Sequence, residues 1–389
     1  MIAYNHTSLD NLLINEEALF AFEQNLISKE EGQGIEKTYP VNLYSPNFFM
    51  RIGLFLLTAV IILMVFGLLC LTMLSSSETK FGILTLVCSL ATYAALEFLI
   101  HERNHYGSGI DDAMMWLSMG FMIGAVNLLN SSLSINAQVV LIFILASFFL
   151  LRFGNLLMGG LAFISFLGVV FYSLIPLGDM AKTAMPFLLM ALSFFVYWLM
   201  RKYKNNNRLR HYKDCCTLIE ILALILLYVA GNYFVVREVS NNMFNLNLKE
   251  GESVPGGWFF WIPTILLPLV YIFIGIQKKA IILLRTGLIL VAGIVFTIRY
   301  YYHVAPLEIA MSIGGIIMIL IAYFITKYLT PPKHGFTHAE PNDPQLAGLL
   351  QLESLVVTQT FHQTTAPESA KPFDFGGGSG GGAGATDNY

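Results

Sequence analysis

The chain has 389 residues, of which 56% are hydrophobic and only 12% charged, with a formal net charge of −3. Soluble domains are about 45–50% apolar and about 25% charged, so this balance excludes an ordinary water-soluble domain and fits a protein solvated by lipid, where a mid-bilayer charge costs several kcal/mol. The slightly negative charge, with no extended basic face, argues against a nucleic-acid partner.

The first 47 residues are polar and carry Glu16, Glu17, Glu30 and Glu31. No secretory signal is expected from them, and the first apolar stretch is too long for a signal core, so it should remain as a span. Asn15-Glu16-Glu17 reads as a helix start, followed by Leu19, Phe20, Phe22 and Leu26. Ser28-Lys29-Glu30-Glu31 fits a capping box that opens a second short helix. Residues 1–47 are therefore expected to form a cytoplasmic helix pair, packed on itself or on the cytoplasmic loops. Asn5-His6-Thr7 matches a glycosylation sequon by pattern, in a compartment that does not suit it.

A spanning helix needs about 20 apolar residues. Ten stretches qualify: Phe48 to Leu74, Phe81 to Ile100, Ala113 to Leu129, Ala137 to Leu151, Leu156 to Ile175, Ala184 to Met200, Cys215 to Val236, Trp258 to Ile276, Ala280 to Ile298 and Leu307 to Ile325. Only Arg152-Phe153-Gly154-Asn155 separates the fourth from the fifth, and merging them would give nine spans. Charge decides between the two counts. With ten spans and a cytoplasmic amino terminus, one side holds Lys37, Arg51, Arg103, Arg152, Arg201, Lys202, Lys204, Arg208, Arg210, Lys213, Lys278, Lys279, Lys327 and Lys333. The other side holds Lys80, Lys182, Arg237, Lys249 and Arg299. Cytoplasmic loops carry the Lys and Arg excess. Nine spans would turn the basic stretch 201–213 outward, so the expected fold is an all-α membrane protein of ten spans (48–326) with both termini cytoplasmic.

Trp258-Phe259-Phe260-Trp261 and Tyr300-Tyr301-Tyr302 suit the outer interface. Pro263, Pro268 and Gly314-Gly315 mark expected kinks or close helix contacts. The loop from Arg237 to Gly257 is the longest on the outer side. Residues 327–389 form a cytoplasmic tail. Leu346, Leu349, Leu350 and Val357 are spaced for one apolar helix face, which would dock a protein partner or lie against the membrane domain. From about 358 the tail becomes glycine-rich and is expected to be disordered.

Leu26-Ile27-Ser28-Lys29-Glu30-Glu31 leading into a first span, and Glu97 to Trp116 with its Tyr106-Gly107-Ser108-Gly109-Ile110-Asp111-Asp112 core, resemble a family of uncharacterised bacterial multi-span membrane proteins known only as a domain of unknown function. The Phe-Gly-Gly-Gly ending is similar to tails on other bacterial envelope membrane proteins. The resemblance covers mainly residues 13–116. It implies a bacterial inner membrane and supplies no chemistry.

Two constellations bear on function. His101-Glu102-Arg103-Asn104-His105 reads H-E-x-x-H, which on a helix places two imidazoles on one face to hold zinc, with Glu102 as general base. Against this, Gly107 and Gly109 soon break any helix, and a third ligand (Asp111, Asp112 or His211) sits at no recognised spacing. The competing reading is a polar interfacial turn. The second constellation is intramembrane charge: Glu97, Glu220 and Arg285 lie within about 10 Å of one membrane surface at 1.5 Å per residue. Arg285 is expected to face Glu220 or Glu97, as a proton or substrate site or as an ion pair that fixes helix packing. Cys70, Cys88, Cys215 and Cys216 show neither metal spacing nor a disulfide framework; Cys215 and Cys216 are buried or interfacial thiols, or acylation sites in a eukaryotic host.

Three functions compete. The preferred one is a non-enzymatic envelope protein that binds a cytoplasmic protein partner through its module and tail, with the bilayer as its other partner and no cofactor. The second is a small-solute transporter of two inverted five-span halves, with a mid-membrane cavity lined by Asn127, Asn232 or Arg285. The third is a zinc hydrolase using His101, Glu102 and His105.

Overall fold

The computed structural model describes residues 2–302 apart from 24–25, 73–76, 131, 205 and 243–255, and beyond 302 only positions 309, 312, 313, 315, 316, 319, 320, 323, 324 and 327. Its helices are α1 (His6–Glu23), α2 (Lys29–Thr38), α3 (Phe48–Leu71), α4 (Glu78–Arg103), α5 (Ile110–Leu129), α6 (Ile135–Phe153), α7 (Leu156–Leu174), α8 (Asp179–Tyr203), α9 (Lys213–Gly231), α10 (Tyr233–Asn242), α11 (Gly257–Gln277) and α12 (Ile281–Tyr302). Among the described residues nine of these are long and apolar enough to cross a membrane. Helix is the form an apolar segment must take in lipid, because every backbone polar group is then satisfied within the segment. The expected tenth span, Leu307 to Ile325, lies largely outside the described residues, as do the loop 243–255 and the apolar and glycine-rich parts of the tail.

The fourth and fifth spans are two helices, not one. α6 stops where Gly154 takes a left-handed conformation (φ +62°), and Asn155 accepts hydrogen bonds from the Leu157 and Met158 amides to open α7. The seventh span is shorter than its apolar run suggests. It ends at Gly231, because the Asn232 side chain accepts from the amides of Phe234 and Val235 and starts α10 as a separate helix.

The amino-terminal helix also begins earlier than Asn15. Asn5 caps it by accepting from the Thr7 and Ser8 amides, and Asn15 lies inside α1, donating to the Tyr39 carbonyl. The capping box of α2 is present as read: Ser28 Oγ accepts from the Glu31 amide, and the Glu31 carboxylate accepts from the Ser28 amide.

Consecutive helices pair as α4/α5, α6/α7, α8/α9 and α11/α12, with α9 touching α7, α8, α11 and α12. α3 leans on α5 and buries no residue; Leu56, Leu57, Met64 and Leu68 all remain exposed, as suits a helix bathed in lipid. One core joins Leu96, Met115, Met119, Phe149, Phe153 and Met158 to Tyr4 and Leu9 of the amino-terminal segment. A second joins α9, α11 and α12 through Leu224, Tyr228, Tyr271, Ile282, Leu283 and Leu290. The amino terminus and the turns 104–109, 154–155, 204–212 and 278–280 gather at one end of the bundle, which is also the end rich in Lys and Arg.

Candidate functional site

The polar side chains concentrate at this basic end, where four chain segments interlock. The turn after α4 is shaped by its own sequence. Asn104 adopts φ +52° and ends the helix, Gly107 and Gly109 have φ +56° and +88°, and a Cβ on Gly109 would meet the Arg51 carbonyl oxygen at 2.1 Å. Only glycine lets the turn approach α3 this closely. Asp111, almost fully buried, accepts from the Gly107 and Ser108 amides at 2.7 and 2.9 Å and from Ser108 Oγ at 3.1 Å. Its neighbour Asp112 is held by Arg51 (Nε at 2.9 Å and Nη2 at 2.5 Å) and by Asn155 Nδ2 at 2.8 Å. One carboxylate thus ties the starts of α3, α5 and α7 together.

Beside it, Arg152 makes a two-pronged pair with Glu97 at 2.8 and 2.7 Å, and Tyr93 donates to the same carboxylate at 2.6 Å. The Arg152 carbonyl accepts from the Ala3 amide at 2.8 Å, so the chain start is pinned to the end of α6. Tyr44 donates from its amide to the Asn104 carbonyl and accepts from the Tyr106 amide. Tyr4 packs edge-on against Tyr106 with ring centroids 5.0 Å apart. Burial raises both phenols, Tyr106 to about 12 and Tyr4 well above its ordinary value, so they fill space as neutral rings.

Further along the same end, Asp10 of α1 pairs with Arg210 at 2.5 Å, and His211 Nε2 lies 3.3 Å from its other oxygen. Between α1 and this basic turn lies a cavity of about 50 Å³ bordered by Leu12, Leu13, Glu16, Tyr106, His211 and Asp214. It admits a few waters and falls well short of the roughly 300–1,000 Å³ of small-molecule sites. The Glu16 carboxyl is raised above its usual range, first by loss of hydration and then by Asp214 and Glu17.

The residues singled out from sequence are distributed differently from expectation. His101 and Glu102 sit exposed on the last turn of α4, whereas His105 lies beyond the left-handed Asn104 and binds Ser108 Oγ through Nδ1 at 2.9 Å. The two imidazoles therefore do not share a helix face. Among the described residues no group of three His, Cys, Asp or Glu is placed to hold a metal ion. Desolvation, and then Arg103, lower the His105 pKa, opposed by Asp111.

The expected charge cluster does not assemble as a unit. Glu97 is taken by Arg152, and Glu220 lies 3.9 Å from Lys204. The Arg285 Nη1 is enclosed without a hydrogen-bond acceptor among the described residues. Asn127 donates to the Ile123 carbonyl of its own helix. Asn232 donates to the Tyr228 hydroxyl and Thr297 Oγ1 at 2.9 and 3.0 Å. None of Asn127, Asn232 and Arg285 borders the cavity. Sequence reasoning missed Asp112 as the hub of the site. The signal was an Asp-Asp pair opening an apolar helix, a costly feature unless paired.

No family model, curated protein or solved structure matches this chain. The resemblance to a bacterial family draws no support from these comparisons, and the functional reading rests on the chain's own residues.

Proposed function

We propose that this polytopic membrane protein is a non-enzymatic, partner-binding protein that presents its amino-terminal helices to a protein in the cytoplasm. One observation carries the reading. α1 is fastened to the bundle through Leu9 and Asp10 and the preceding Tyr4, yet Leu19 and Phe22 form an apolar stripe on its last turns, 44% and 41% exposed at i and i+3, with Leu26, 69% exposed, just past the helix end. Such a stripe is what a helix offers to a partner's groove. α2 buries no residue and adds Glu30, Glu31 and Glu36 beside it, so the partner we envisage is apolar with a basic rim. The Lys and Arg excess at this end supports a cytoplasmic orientation. We place the protein in a bacterial inner membrane, with the tail 331–389 as a second contact for the same partner.

The test is a photo-crosslinking residue at Phe22 in intact cells, with exposed Glu36 as control. A single protein adduct is expected from Phe22, absent from Glu36 and lost when residues 331–389 are deleted. No adduct at Phe22, or identical adducts at both positions, overturns the binding face; an adduct that survives the deletion removes the tail from the interface.

A further inference from the structure

α1 is held to the bundle at a contact that contains two imidazoles from distant parts of the chain. The His6 ring, in the first turn of α1, has its centroid 5.7 Å from that of His211 in the 204–212 turn. Arg210 joins the two segments. Its Nη2 reaches Asp10 Oδ2 at 2.5 Å, and its Nε donates to His211 Nε2 at 3.4 Å. A guanidinium in a protein does not give up its proton, so His211 Nε2 is the acceptor and the ring is neutral, with its proton on Nδ1. A second observation agrees. Asp10 Oδ1 is enclosed without a hydrogen-bond partner, although the same Nε2 lies only 3.3 Å away.

The His211 side chain is only 10% exposed, and Ile2, Leu9 and Leu12 of the amino-terminal segment border the cavity beside it. Docking of α1 therefore takes water away from this ring. A second proton there would sit in a desolvated place, break the bond from Arg210 and set cation against cation, with a protonated His6 adding a third. The other titratable or charged groups around the ring are Asp10 and Glu16 of α1, Lys213 and Asp214 at the start of α9, and the Tyr106 phenol, which stays neutral. Asp10 favours a charge on the ring, but it is already paired with Arg210. Glu16 and Asp214 are exposed, so water screens them. When α1 leaves, the ring enters water and charges at about pH 6.5. The docked state thus binds fewer protons than the undocked one, and docking weakens as pH falls through the imidazole range. Glu16 works the other way: its carboxyl is raised in the docked state, so its contribution to docking grows as pH falls.

We propose that His211 is a proton-operated catch: neutral, it holds α1 against the 204–212 turn, and charged, it loosens the helix. The inference concerns how α1 is held and stands whatever α1 binds. It is tested on the full chain in phosphatidylcholine nanodiscs by hydrogen–deuterium exchange of the α1 amides, each rate divided by the intrinsic rate at the same pH. Between about pH 7.5 and about pH 5.5 the protection of α1 should fall about fivefold, within the tenfold per pH unit that one proton allows. His211→Gln can still accept from Arg210 and cannot charge, so its α1 should match the intact protein at the higher pH and lose the response to acid. Glu16→Gln removes the opposing carboxyl and should deepen the fall. Four outcomes would each overturn the proposal: protection that is unchanged or rises on acidification in both the intact protein and Glu16→Gln; an equal fall in His211→Gln; a His211→Gln chain whose α1 is already loosened at the higher pH; or a fall that Glu16→Gln abolishes.

Discussion

Gly109 shows how a single position governs the basic end. Its φ of +88° and its contact with the Arg51 backbone leave no room for a methyl group. Gly109→Ala should destabilise the protein by about 2–4 kcal/mol, combining backbone strain with displacement of α3. The check is thermal or denaturant unfolding in detergent against the wild type. A loss below about 0.5 kcal/mol would show that the turn relaxes freely. The same residues explain why sequence fell short here. Composition announces two aspartates at a helix start, and depth counting places Glu97, Glu220 and Arg285 at one height. Height says nothing about azimuth: Glu97 faces Arg152, 55 residues on, and the Arg285 Nη1 meets no acceptor among the described residues. Asp112 and Arg51 are 61 residues apart, a pairing no local pattern encodes.

At the level of helices the reading was far better, because hydropathy and caps are local. The nine described spans start and stop within a few residues of their apolar runs. The break between the fourth and fifth follows from Gly154 and Asn155, and the capping box at Ser28 from four adjacent residues. The break at Asn232 escaped notice because it sits within a continuous apolar run, where one polar residue does not interrupt the pattern. Its stabilisation is tertiary: Asn232 binds Tyr228 and Thr297, while Thr264 Oγ1 accepts from the Tyr233 amide at 2.9 Å. Asn232→Ala removes the cap and leaves buried hydroxyls short of a partner, which should cost about 2–4 kcal/mol. Unfolding in detergent measures it, and Asn232→Asp, which keeps the capping oxygen, should recover part of the loss. Close approach also matters between helices. A Cβ on Gly275 of α11 would meet the Leu284 backbone of α12 at 2.7 Å, so this hairpin depends on a small residue at its crossing.

At the level of the whole molecule, the arrangement of the bundle makes a statement about sidedness. The amino-terminal helices and the basic turns 104–109 and 204–212 share one end, and the turn near Ser132 lies at the other. In a background with Cys70, Cys88, Cys215 and Cys216 replaced, Ser28→Cys and Asn206→Cys should react with an impermeant maleimide from one side only, and Ser132→Cys from the other. Labelling of Ser28→Cys and Asn206→Cys from opposite sides would contradict the bundle as described. Cytoplasmic labelling of the first two is what the distribution of Lys and Arg leads us to expect.

The contact between Asp10 and Arg210 has a further consequence. The two residues stand 200 positions apart, and Ala3 likewise awaits Arg152. At about 5–20 residues per second, the ribosome delivers Arg210 roughly 10–40 s after Asp10. Throughout that interval Asp10 lacks this partner, while Tyr106 and then Arg152 emerge earlier to meet Tyr4 and Ala3. The first segment to be synthesised is therefore fastened in stages, and a chain halted before Arg210 would leave its leading helix without this ion pair and more open to quality-control proteases.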